Sequence, residues 1–163
     1  MTIKKMRVGL VGSGYMGKAH AIAYRNAMAA FAIPQNLLQC DMLADATPEL
    51  AQSKALELGF SRSTGDWKSL INDPDIDVVD ICAPNFLHKE IALVAISAGK
   101  SVYSEKPLAL NASDAKEMTE AAERAGVKTL VGFNYVKNPT MQFAKQLIAR
   151  GDIGDVVHFR FNV

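Results

Sequence analysis

The sequence is poor in the features that mark specialised chains. It holds only two cysteines in 163 residues, and Cys40 and Cys82 each stand alone in an apolar run. No metal-type spacing surrounds either one, so neither a zinc site nor a disulfide framework organises the chain. The expectation is two buried thiols in a reducing compartment. An excess of one charge is also missing: 18 Lys and Arg stand against 17 Asp and Glu, a net charge of +1. That balance argues against a broad electrostatic grip on nucleic acid or on an acidic membrane. Long apolar runs are lacking too. The first ends at Val11, where glycines intervene, which is too short for a signal peptide. No later run approaches the ~20 residues of a membrane span. There is no internal repeat, low-complexity tract or linker. A soluble, cytoplasmic protein without nucleic-acid or membrane partners is expected.

What is present is an ordinary globular composition, 49% hydrophobic and 21% charged. A chain of this size buries roughly 70% of its unfolded surface and needs no staple. Strand-length apolar runs alternate with helix-period segments. Strands are expected at Arg7–Val11, Leu38–Ala44, near Phe60, at Asp77–Cys82, Ser101–Ser104 and Thr129–Phe133. Helices are expected at Lys18–Ala29, from Thr47-Pro48-Glu49 to Gly59, over Asp66–Asn72 and Leu87–Ala98, and from Asn111 to about Gly126. This alternation predicts an α/β fold, a Rossmann-type doubly wound parallel sheet, over residues 1–135. From 136 onward the pattern changes. Asn138-Pro139 opens a helix ending at Gly151, and Val156–Val163 reads as the first strand of a second, truncated α/β domain.

The sharpest local signal is Gly12-Ser13-Gly14-Tyr15-Met16-Gly17, directly after the first strand and opening the first helix. The first glycine permits a tight turn, the second lets backbone approach a pyrophosphate, and the third lets helix and strand pack closely. The helix N-terminus offers free N–H groups to phosphate. Gly17-Lys18 is followed by Ala19, so the loop is not a mononucleotide P-loop. Asp45 ends the second strand, 28 residues after Gly17, and is placed to hold the adenosine ribose. No arginine occupies positions 46–49 to greet a 2′-phosphate, which favours NAD over NADP. Three more polar clusters fall at strand ends: Ala83-Pro84-Asn85 with His88, Glu105-Lys106-Pro107, and Asn134 after Gly132-Phe133. Read singly, Asn85 is a helix cap, His88 a half-exposed first-turn residue, and Glu105-Lys106 a solvated pair. Together they put a site on the rim that carries the glycine loop.

These motifs resemble the N-terminal half of the glucose–fructose oxidoreductase / inositol dehydrogenase / MocA family, most closely its inositol dehydrogenase-like branch. The resemblance rests on Gly12–Gly17 with His20, on Asp80-Ile81-Cys82-Ala83-Pro84-Asn85 with His88, and on Gly99-Lys100-Ser101-Val102. Glu105-Lys106-Pro107-Leu108-Ala109 and Gly132-Phe133-Asn134-Tyr135 with Asn138-Pro139 complete it. Lys137 stands where the family often has arginine. The resemblance implies hydride transfer between NAD(P) and a sugar, polyol or related alcohol, and a homo-oligomer in full-length form. It makes Lys106 the catalytic lysine at the substrate hydroxyl and nicotinamide ribose, and Glu105 a residue that places the nicotinamide end. Asn85 and His88 would line the cofactor cleft. Such proteins continue for roughly as many residues again, so this chain is expected to be incomplete and inactive alone. The alternative is a non-catalytic nucleotide-binding sensor or partner-binding module, which would not need an ammonium at Lys106.

Overall fold

The strand Met6–Val11 (β1) has a parallel neighbour on each side, and that central position organises everything else. A computed structural model describes residues 5–34 and 36–160. β1 pairs with Leu38–Ala44 (β2) on one side and with Val78–Ile81 (β4) on the other. Arg62–Thr64 (β3) flanks β2, while Ser101–Ser104 (β5) and Thr129–Val131 (β6) extend the other edge. The result is a six-stranded, all-parallel sheet in the order β3-β2-β1-β4-β5-β6, the doubly wound arrangement of a Rossmann fold.

Helices Tyr15–Ala30 (α1), Pro48–Leu58 (α2), Trp67–Asn72 (α3), His88–Ser97 (α4) and Ala112–Ala125 (α5) connect the strands. Their ends follow the local chemistry. Thr47 accepts from Leu50 N and Pro48 opens α2, which Gly59 closes in the left-handed conformation. Asp66 caps α3, and Asn111 caps α5. Leu10 and Leu43 pack with Ala21, Ala51, Ala55, Leu58 and Phe60, the apolar stripes of α1 and α2. Val11, Val79 and Ile81 point the other way, into a larger cluster with Leu70, Ile71, Ile91, Ala95 and Met118. Each buried leucine or isoleucine contributes roughly 1.5–3 kcal/mol. Because side chains alternate along a strand, Asp80 between Val79 and Ile81 is driven to the α1 side of the sheet, fully buried.

The expected elements are met with small shifts and three corrections. The third strand lies at Arg62–Thr64 rather than at Phe60, whose ring is core. Cys40 and Cys82 are partly rather than fully buried. Burial pushes the Cys40 thiol up to about 11 and raises that of Cys82 as well, so both stay protonated. The third concerns the terminal strand: residues 156–160 are irregular, and 161–163 lie outside the described residues. A strand needs a ladder with a neighbour, and residues 156–160 take no strand conformation.

The chain divides into two compact units, Met1–Gly132 and Phe133–Val163. The second contains a short 3-10 turn at Asn134–Lys137 and the helix Pro139–Ala149 (α6), capped by Asn138 accepting from Thr140 N. No helix among the described residues is long and apolar enough to cross a membrane.

Candidate functional site

Strand register assembles the site. Val11 stands opposite both Ala44 and Ile81, and Ile81 opposite Ser104. The residues that follow continue the ladder: Gly12 N donates to Ala44 O (2.9 Å), Cys82 N to Val11 O (2.8 Å), and Glu105 N to Ile81 O (2.9 Å). Gly12, Asp45, Cys82 and Glu105 therefore emerge side by side along the carboxyl edge of the sheet, where open parallel sheets bind ligands.

The glycine loop has different reasons for each glycine. Gly12 has φ +93°, and a Cβ there would sit 2.7 Å from the Cys82 carbonyl oxygen. At Gly17 a Cβ would run into the carbonyl oxygen of Gly12. Gly14 is unlike both. Its φ of −62° suits any residue, and a Cβ there would meet nothing within 4 Å. Nothing inside the protein requires glycine at this position. Gly14 precedes α1, whose first turn has neither a side-chain cap nor an acid, leaving its N–H groups free for an anion.

Ser13, between these glycines, donates its backbone N–H to Asp45 Oδ2 at 2.8 Å and its hydroxyl to the same oxygen. Asp45 Oδ1 accepts from Ala46 N at 2.7 Å. Burial favours the neutral carboxyl, but the bonds from Ser13 and Ala46 outweigh it and hold Asp45 below the usual carboxylate range. Ser13, Gly14, Tyr15, Lys18, Asp45, Leu50 and Lys54 line one open cleft of about 450 Å³.

Beneath the rim lies a buried polar network. His20 Nδ1 lies 2.9 Å from Asp80 Oδ2, and its Nε2 lies 3.2 Å from Glu105 Oε1. Tyr24, one turn along α1, donates to Asp80 Oδ2 at 2.6 Å. The imidazole stacks on Tyr103 with centroids 4.9 Å apart. Burial pulls the His20 pKa down, yet the hydrogen bonds and charges of Asp80 and Glu105 carry it above its ordinary value. His20, Asp80 and Cys82 bring ligand-type atoms within 4.8 Å of one another. Within this group the ring and the carboxylate are engaged with each other.

Glu105 and His88, which read from the sequence as surface residues, are found inside the protein. Glu105 is 5% exposed. Its Oε2 accepts from Lys106 N at 3.1 Å while Oε1 faces His20, so it is no solvated pair. His88 is 1% exposed, with Nδ1 2.9 Å from Pro107 O and Nε2 2.9 Å from Ala83 O. Instead of half-exposed, it is a clamp joining the segment after β4 to the one after β5. Pro84, Asn85 and Lys106 are exposed, and Met16 and Ala83 half-buried. The Lys106–Pro107 peptide is cis. Asn134 belongs to the second unit, where its Oδ1 accepts from Tyr135 N.

Residues 6–133 match the oxidoreductase family with an NAD-binding Rossmann fold, the glucose–fructose oxidoreductase / inositol dehydrogenase / MocA group. The chain belongs to this family. Levoglucosan dehydrogenase of Pseudarthrobacter phenanthrenivorans is 45% identical over 159 residues, covering 97% of this chain and 40% of that protein. Inositol 2-dehydrogenase of Salmonella typhimurium is 31% identical, covering 95% of this chain and 45% of that protein. Among solved structures, an NAD-binding oxidoreductase from Klebsiella pneumoniae superposes with TM-score 0.88 at 51% identity, over 92% of this chain and 40% of that one. Levoglucosan dehydrogenase in complex with NADH and L-sorbose superposes with TM-score 0.89 at 44% identity, over 93% and 40%. The chain thus spans about two fifths of the length of these oxidoreductases.

The bonds that join Ser13 to Asp45 and His88 to two rim carbonyls, and the two lysines of the Asp45 cleft, have no local signal in the sequence. Only His20 had a signal, its place three residues after Gly17 on the same helix.

Proposed function

We propose that this chain is the cofactor-holding part of an oxidoreductase that moves hydride between NAD and the alcohol carbon of a sugar or polyol. The carrying observation is Gly14: a backbone position that tolerates any residue in conformation and packing, kept free of a side chain beside an uncapped helix N-terminus. A diphosphate fits that opening, and Asp45 in the same cleft fits the ribose hydroxyls. A carboxylate there repels a 2′-phosphate, which favours NAD over NADP.

NAD supplies the hydride acceptor when bound. The chain's own residues bind and orient it: N–H groups of α1 for the diphosphate, Asp45 for the adenosine ribose, and the rim from Ala83 to Asn85 beyond. Lys106 is the exposed cation of the rim, anchored through its backbone to Glu105. An ammonium beside a substrate hydroxyl stabilises the developing alkoxide and relays its proton. Residues 136–163 would open the portion that holds substrate. The complexes of levoglucosan dehydrogenase with NADH and with levoglucosan or L-sorbose support a sugar-like substrate.

Titration calorimetry of the chain with NADH tests the binding half of this reading. Saturable binding at one site per chain is expected. No saturable binding at millimolar NADH overturns it.

A further inference from the structure

Glu57 holds two lysines at once. Its Oε1 lies 2.9 Å from Lys18 Nζ on α1, and its Oε2 lies 2.6 Å from Lys54 Nζ, one turn earlier on α2. Both lysines line the cleft that contains Ser13, Gly14 and Asp45. They share that cleft with Asp45, yet both ammonium groups are already paired with one carboxylate, which offsets half of their charge.

We propose that Glu57 is a specificity-determining residue of the cofactor cleft. By pairing with Lys18 and Lys54 it keeps two cations from serving a 2′-phosphate, and so works with Asp45 to favour NAD over NADP. The inference rests on the cofactor reading above and adds a residue outside the glycine loop and the second strand end. A 2′-phosphate brings up to two negative charges and needs a cation to offset the repulsion from Asp45. With Glu57 charged, the two ammonium groups carry a combined charge of only +1 with that carboxylate, and a phosphate must compete with it for their donors. The hydrogen bonds from Lys54 and Lys18 hold the Glu57 carboxyl down to about 2, so it is charged throughout the neutral range. Lys54 and Glu57 are i,i+3 neighbours on α2, a spacing that keeps the pair together without help from the rest of the fold.

The test is titration calorimetry with NAD+ and NADP+ at low ionic strength, on the unmodified chain, Glu57→Gln, and Glu57→Gln with Lys54→Met and Lys18→Met. Glu57 is exposed and makes no core contact, so Glu57→Gln should fold normally. The ratio of the two dissociation constants should move toward NADP+ by about tenfold in Glu57→Gln. It should fall back to the original ratio or below it when the lysines are removed, and the gain should shrink in high salt. An unchanged ratio in Glu57→Gln, or a gain that survives loss of both lysines, overturns the proposal while leaving the cofactor reading intact. Failure of the unmodified chain to bind either nucleotide overturns both.

Discussion

Ser13 and Asp45, 32 residues apart, are joined at a single carboxylate oxygen, which accepts both the backbone N–H and the hydroxyl of Ser13. The glycine loop after β1 is thereby tied to the end of β2. In the proposed cofactor site, diphosphate and ribose recognition would share this linked backbone, with Asp45 aimed before any ligand arrives. Its remaining acceptor capacity is what ribose hydroxyls would use.

Replacing Asp45 by Ser should weaken NAD(H) binding by about 10- to 100-fold, because charge-assisted hydrogen bonds are worth about 1.5–3 kcal/mol each. Affinity for NADP(H) should fall less or rise. Titration calorimetry with both nucleotides measures this, and an unchanged preference would remove Asp45 from the ribose site.

The glycines of the loop should separate stability from binding. In Gly17→Ala the new methyl meets the Gly12 carbonyl, and overpacking of this kind costs about 1–3 kcal/mol. In Gly14→Ala it meets open space, so chemical denaturation should move by no more than about 1 kcal/mol. Cofactor affinity should nonetheless drop at least about tenfold, since the methyl occupies the diphosphate's approach. A Gly14→Ala chain that binds NADH normally would count against the proposed site.

His20 should make stability depend on pH. Its folded-state pKa is raised above the unfolded value, so its contribution is complete below about pH 6.5 and is lost as pH rises through the folded value. The groups facing the ring are Asp80, Glu105, Tyr24, Tyr103 and Cys82. Denaturant midpoints should therefore decline on the alkaline side of about pH 6.5. His20→Gln should lose that dependence and, by leaving two buried carboxylates short of a cation, cost about 3–5 kcal/mol at low pH. A flat profile in the unmodified chain would mean that the imidazole binds its proton equally in the folded and unfolded states.

Lys106→Met, assayed in a protein of the relatives' full length carrying this chain, should lower turnover by about 10²–10⁴-fold. Cofactor affinity should change little, because the altered side chain stands away from the diphosphate and adenosine groups. Near-normal turnover would reduce Lys106 to a surface cation.

The sheet was readable in advance because its signals are local. Val8, Leu10, Val79 and Ile81 sit in short apolar runs, Thr47-Pro48 and Asn111 announce helix starts, and Gly59 and Gly126 announce their ends. The glycine loop was readable for the same reason, since six consecutive residues carry its whole geometry. What a one-dimensional string does not display is which polar side chains face inward. Asp80 lies in a run that reads as buried strand, and only the packing of α1 on that face supplies His20 and Tyr24 to receive it. Glu105 reads as a solvated acid until the same imidazole and the Lys106 N–H take its two oxygens. His88 reads as a surface residue until two separate rim segments close on its ring. Local sequence determined the elements and their order, because turns, caps and periodicity act within a few residues. Tertiary structure alone decided what Asp80 and Glu105 meet on α1, because those contacts lie 56 to 85 residues apart in the chain.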